Sequence, residues 1–164
     1  MSLSFQRLGP MDGARVMHLI PGPHEHIFTA TPADRLRALG HAETGWAILE
    51  GDDVVGFFVL DGDFAALHDF AREDEIGLRS LLIDSARRGE GLGQAAMLAL
   101  PGLVAREYPQ ARGVVLTCNL RNKKAYETYL RAGFADTGEV YLGGSAGPQH
   151  IMQLRGPETK EIPG

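Results

Sequence analysis

The sequence predicts a mixed α/β (α+β) fold of about seven strands and about four helices, and three observations carry that expectation. Two apolar runs, Trp46–Glu50 and Val54–Leu60, flank Gly51-Asp52-Asp53 and read as a hairpin. A strand over Ile76–Ile83 leads through a glycine-rich loop into a long helix over 92–107. A β-branched strand, Val114–Cys118, then leads into a helix over 122–131.

The other elements follow in chain order. Phe5–Leu8 reads as a short first strand, and residues 11–20 read as a helix that Pro21-Gly22-Pro23 interrupts. Thr31-Pro32 is an N-cap followed by proline at the first helical position, which opens a helix over 32–40. Pro101-Gly102 falls inside the long helix. An interior proline removes a backbone hydrogen bond at a cost of roughly 3 kcal/mol. A kink near Met97–Pro101, or two shorter helices, is therefore expected. Gly133 suits the left-handed position that ends the 122–131 helix. Residues 136–142 and 149–154 form a final strand pair around Gly143-Gly144, and the tail from Gly156 is expected to fray.

The 164 residues fit one domain, with 44% hydrophobic and 23% charged residues, as in an ordinary globular protein. No apolar run is long enough to span a membrane, and no basic-then-apolar leader opens the chain. The lone Cys118 excludes an internal disulfide and agrees with a reducing, cytoplasmic setting. A net charge of -5 argues against a general nucleic-acid binder and is compatible with a small cationic substrate such as an amine. The chain is expected to act as a monomer or a homodimer.

The strand–loop–helix unit has a physical use. A helix N-terminus offers unpaired N–H groups and partial positive charge, and glycines let that backbone approach an anion. Gly89, Gly91 and Gly93 provide the access, Gln94 lies in the first turn, and Arg87 and Arg88 add positive charge. The dinucleotide fingerprint G-x-G-x-x-G does not match the G-x-G-x-G spacing here. The Walker loop is also excluded, because no lysine follows Gly93.

The spacing that fits is Arg88 through Gly93, of the form [QR]-x-x-G-x-[GA], after the apolar strand end Leu81-Leu82-Ile83. Downstream, Asn122, Ala125, Tyr129, Gly133 and Phe134 keep the spacing N-x-x-A-x-x-x-Y-x-x-x-G-F. With these two motifs in this order, the chain resembles the GNAT superfamily of acetyltransferases over roughly residues 75–154. The resemblance implies a mostly antiparallel sheet with one splayed parallel pair, about Leu81 and Leu116. It also implies acetyl-CoA as the acetyl donor, no metal, and a small-molecule amine as acceptor.

Carried over residue by residue, the resemblance implies that the backbone of Leu81 and Ile83, flanking Leu82, binds the acetyl carbonyl and pantetheine. Arg87, Arg88, Gly89, Glu90, Gly91, Leu92, Gly93 and Gln94 would surround the pyrophosphate. Asn119 and Asn122 would lie along the pantetheine, and Tyr129 would approach the thioester sulfur as general acid. Asn122 equally suits a helix cap, and Cys118 a small core residue. Several relatives carry a glutamate where this chain has Gly77, so Glu75, on the same strand face, is expected to serve as base through water. Asp74, His68 and Asp69 are the alternatives. Trp46, Phe57 and the His24-Glu25-His26 segment are placed on the acceptor side, and two histidines without a third ligand do not make a zinc site.

The chemistry needs such groups. An alkyl amine has a pKa of about 10.4, so freeing its lone pair near neutral pH costs roughly 4.6 kcal/mol. The acceptor class includes polyamines, amino sugars, amino acids and protein amines, and the wording of Glu75–Arg88, similar to that of bacterial polyamine acetyltransferases, suggests a polyamine first. A protein amine and a non-catalytic acyl-CoA sensor are the competing readings, and Tyr129 speaks against the sensor.

Overall fold

A computed structural model of the chain describes residues 2–21, 30–144 and 147–155. Seven strands form one sheet: β1 Leu3–Leu8, β2 Glu43–Glu50, β3 Asp53–Asp61, β4 Glu75–Ile83, β5 Gly113–Asn119, β6 Ala135–Tyr141 and β7 Gln149–Arg155. Four α-helices accompany them among the described residues: α1 Pro32–Arg37, α2 Phe64–Leu67, α3 Leu92–Glu107 and α4 Lys123–Arg131.

The strand order is β1-β2-β3-β4-β5-β7-β6, and every neighbouring pair is antiparallel except β4 and β5. That parallel pair is joined only from Glu75–Gly113 to Gly77–Val115. Beyond it β4 has no ladder partner on its β5 side, so the splay begins ahead of Leu81 and Leu116.

Alternation along the strands divides the apolar residues between two faces. Ile48, Phe58, Leu60, Ile76 and Leu78 pack with Met97, Leu100 and Tyr129 of α3 and α4. Ala47, Phe57 and Val59 pack on the opposite face with Leu36 of α1 and with Val16 and Leu19. A smaller cluster, Phe64 with Val115 and Ile151, closes the second face beside the splay.

The local signals act as expected at several ends. Gly51-Asp52 form a two-residue hairpin turn, with Gly51 at φ 60°. Thr31 caps α1 by accepting from the Asp34 amide, and Gly133 ends α4 at φ 101°.

One expectation needs correction and one is narrowed. Residues 11–20 contain only the 3-10 turn Gly13–Arg15, because Val16 and Leu19 alone are buried there while Met11 and Met17 are 94% and 72% exposed. A helix buries a stripe, and this segment has none to bury. The α3 helix passes through Pro101 as one element, which removes the alternative of two shorter helices. Met97, Leu100, Leu103 and Val104 are buried along it, and that packing outweighs the proline cost. The His24-Glu25-His26 segment and the tail from Gly156 lie outside the described residues.

Candidate active site

The splay opens a cavity of about 830 Å³ that passes through the sheet, within the size range of small-molecule sites. It is lined from one face by Leu78, Cys118 and Tyr129, and from the other by Phe64, His68 and Arg79. Its long end reaches the loop before α3.

The loop end is built from backbone. The Asp84 carboxylate accepts from the amides of Ala86 and Ile20, which fixes the 3-10 turn Ser85–Arg87. Gly89 and Gly91 then take φ 85° and 74°, values that suit glycine. Gly91 caps α3 without any side-chain hydrogen bond. Among the described residues the amides from Gly89 to Gln94 donate to no protein acceptor, since the first helical bond is Ala95 to the Gly91 carbonyl. A Cβ on Gly93 would sit 3.4 Å from the Thr128 methyl group, so this glycine also permits close packing of α3 on α4.

The predicted cofactor residues divide. Leu81, Ile83, Arg88, Gln94, Asn119 and Asn122 all line the cavity, as do Gly89, Gly91, Leu92 and Gly93. Leu82 faces the second core and can contribute backbone only. Arg87 lines the cavity, but Glu50 and Glu90 hold its guanidinium, with Glu90 Oε2 at 2.8 Å from Nε. Glu90 therefore acts on the loop through Arg87. Arg88 has no ion-pair partner among the described residues. Asn122 caps α4 through Oδ1, which accepts from the Ala125 amide, and its amide nitrogen remains for the cavity. Lys124 and Arg131 of α4 also line this end and were not foreseen.

Tyr129 is 8% exposed and packs edge-on against Phe134, with its ring centroid 5.4 Å away. Cys118 lies nearby, but burial pushes its thiol pKa up to about 12. The thiol is a poor nucleophile in that state.

Glu75 is not where the base is needed. It sits at the closed end of the parallel pair, opposite Gly113, and its side chain is fully buried. Its oxygens accept from the Arg72 amide at 2.8 Å and pair with Arg155 at 3.2 Å. The residue does not line the cavity, so its role is to lock β4 to β7, and the expectation of a catalytic Glu75 is corrected. Asp74 is likewise committed to Arg155 at 2.9 Å. Trp46 and Phe57 are 4% and 1% exposed core residues on opposite faces, and neither reaches the acceptor side.

The acceptor end is built around Gly77. A Cβ there would overlap the Phe64 ring, so glycine lets α2 lie directly on the strand. Phe64 in turn stacks on His68 at 4.2 Å between centroids. Arg79, on the same strand face as Gly77, covers the Phe64 ring at 4.8 Å. Its Nη2 donates to His68 Nε2 at 3.0 Å. Guanidinium has no acceptor, so Nε2 carries the lone pair and the ring is neutral with its proton on Nδ1. Burial, and then the Arg79 charge, hold the His68 pKa below its ordinary value, against the opposing pull of Asp61 and Asp69.

A bulge in β4 shapes the same end. The β3–β4 register shifts between Phe57–Leu82 and Val59–Arg79, and Ser80 sits at φ 59°. A non-glycine residue there stores roughly 1–3 kcal/mol and marks functional sites. Arg35 donates to Ser80 Oγ at 3.1 Å and pairs with Glu43 through both terminal nitrogens. No sequence signal announces the bulge, whereas an arginine inside a largely apolar strand does single out Arg79.

A mixed sheet split at one parallel pair, with open loop amides at one end and titratable groups at the other, defines an acyl-coenzyme A transferase. The family model described as acetyltransferase (GNAT) family matches residues 14–134. A Bacillus subtilis (strain 168) protein described as uncharacterized N-acetyltransferase YbbJ is 31% identical over 119 residues, which is 71% of this chain and 74% of that protein. The chain belongs to the acetyltransferase (GNAT) family, and it is an acetyl-CoA-dependent N-acetyltransferase. The aminoglycoside acetyltransferase AAC(6')-Ib, solved with acetyl-CoA, shares the fold at a TM-score of 0.77 and 16% identity over 94% of each chain. A chimera of spermidine N-acetyltransferase SpeG from Vibrio cholerae and hSSAT does so at 0.66 and 15% identity, over 94% of this chain and 96% of that one. Among the described residues no cluster of three or more His, Cys, Asp or Glu side chains could hold a metal ion, and no helix is long and apolar enough to cross a membrane.

Proposed function

We propose that the chain transfers an acetyl group from acetyl-CoA to a primary amine by direct attack, with His68 as base and Tyr129 as acid. The observation that carries the reading is the through-sheet slot, which exposes Tyr129 from one face and neutral His68 from the other. The thioester supplies an activated acetyl carbonyl. Loop amides from Gly89 to Gln94, with Arg88, Lys124 and Arg131, hold the phosphates, and the unpaired edge of β4 at Leu81 and Ile83 binds the acyl arm.

The residues divide the protons between them. His68 takes one proton from the ammonium, directly or through a water, which frees the lone pair. The amine nitrogen forms its bond to the carbonyl carbon as the carbon–sulfur bond breaks. Strand N–H groups stabilise the charge that develops on the carbonyl oxygen. Tyr129 donates to the departing thiolate and recovers its proton from the acylated nitrogen through solvent. Cys118 supports this one-step transfer, because a thiol that burial keeps protonated does not carry an acetyl intermediate.

The test is release of CoA thiol over an amine panel. His68→Gln and Tyr129→Phe should each lower kcat by about a hundredfold, the size of a general acid–base contribution, and leave acetyl-CoA affinity within about twofold. Tight acetyl-CoA binding without turnover on any amine would sink the transferase reading in favour of a sensor.

A further inference from the structure

The acceptor end presents guanidinium groups, and among the described residues the carboxylates near it are already covered. Arg35 and Arg79 line the cavity, whereas Glu43 and Asp61 do not. Both Glu43 oxygens are taken by Arg35, and its side chain is 13% exposed. Asp61 is 4% exposed and gives one oxygen to the Asp63 amide and the other to Arg79 Nε at 3.2 Å. Among the described residues the acidic side chains that line the cavity are Asp84 and Glu127. Asp84 is spent on two amides, and Glu127 is on α4 at the cofactor side.

Arg79 is the guanidinium with capacity left. Its Nε faces Asp61, its Nη2 faces His68, and its Nη1 has no partner among the described residues. The Nη1–Nη2 edge is the fork that matches a carboxylate with two parallel hydrogen bonds. Phe64 packs beneath the guanidinium and keeps it in place. The Phe64 and Tyr141 rings, which line the same end, offer an apolar wall.

We infer that the acceptor is a primary amine that also carries a carboxylate, bound through the terminal edge of Arg79, with an apolar portion against Phe64 and Tyr141. This deepens the acetyl-transfer reading and rests on it. A polyamine or an aminoglycoside would bring several positive charges to a wall of guanidinium groups that, among the described residues, has no uncovered carboxylate to meet them.

The same contact couples recognition to chemistry. Without acceptor, Arg79 Nη2 occupies the His68 Nε2 lone pair. A carboxylate that draws the guanidinium to itself uncovers that lone pair beside the amine it must deprotonate. An acceptor without a carboxylate therefore loses in kcat as well as in KM.

The experiment compares apolar amino acids with their amides and methyl esters, and with spermidine and kanamycin, by thiol release and by heat protection of the CoA-bound protein. Free acids should exceed their amides in kcat/KM by about tenfold or more, the scale of a charge-assisted hydrogen bond. Arg79→Gln should erase that preference, and Arg79→Lys should keep part of it, since a point charge replaces the fork. Amides or polyamines used as well as the acids would overturn the inference. Acid-selective heat protection without any transfer would keep the carboxylate site and refute the transferase reading alone. Equal protection by acid and amide would overturn the carboxylate site whatever the transfer assay gives.

Discussion

The two ends of the cavity are made of different material. The cofactor end is backbone: two left-handed glycines, an uncapped helix start and an unpaired strand edge. The acceptor end is side chains: Phe64 and His68 from the α2 region, Arg79 from β4 and Arg35 from α1. Backbone sites are set by local conformation and are carried by a short contiguous motif. Side-chain sites are set by tertiary packing, so they can change while the motif stays the same. Substitutions at the two ends should therefore separate acetyl-CoA binding from acceptor chemistry.

The largest effect is expected at the backbone end. Gly91→Val forces a β-branched residue to φ 74°, at roughly 1–2 kcal/mol. It also blunts an amide contact worth roughly 1.5 kcal/mol. Acetyl-CoA affinity, read by calorimetry, should fall by about a hundredfold, while the acid-over-amide acceptor ratio stays constant. A change in that ratio would break the separation of the two ends.

How much of this was legible follows the same line. The long α3 helix, the hairpin and the Asn122–Phe134 segment repeat their patterns within a few residues, and the structure reproduces them. The cavity-lining loop was legible because the Arg88–Gly93 spacing fixes its own backbone. The base was not. Glu75 shares a strand face with Gly77, but Gly113 and Arg155, distant in sequence, close over it. The 11–20 segment carries apolar residues, yet Met11 and Met17 stay 94% and 72% exposed. A four-residue helix such as α2 has too little periodicity to be seen, and it delivers Phe64 onto Gly77.

That packing gives the next prediction. Gly77→Glu introduces the carboxylate that the family resemblance would place at this position, but its Cβ overlaps the Phe64 ring. Overpacking of this kind costs roughly 1–3 kcal/mol and would displace α2 together with His68. A fall in thermal stability is expected, with at least about a tenfold loss of turnover and acetyl-CoA affinity within about twofold. The double variant Gly77→Glu, Phe64→Ala relieves the overlap and should recover stability without recovering the His68-dependent rate. Full recovery of activity would show that the carboxylate can replace His68, and that the acceptor end tolerates either base.

The smallest effect tests the electrostatics around His68. Among the described residues the groups that face it are Arg79 from β4, Asp61 from β3, Asp69 in its own loop, and the rings of Phe64, Phe70 and Tyr141. Burial and then Arg79 lower its pKa, so the neutral form persists below the ordinary histidine range near 6.5. A base works unprotonated, and the acid limb of kcat/KM should therefore lie below that range. Asp69 raises the pKa, so Asp69→Asn should move the limb further down. Removing the Arg79 charge in Arg79→Gln should move it up, measured with an amide acceptor that does not need the guanidinium. Opposite shifts in these two variants would tie the limb to His68, because the two charges act on it with opposite sign. A limb that stays fixed in both would assign the proton transfer to another group and leave Arg79 with acceptor binding alone.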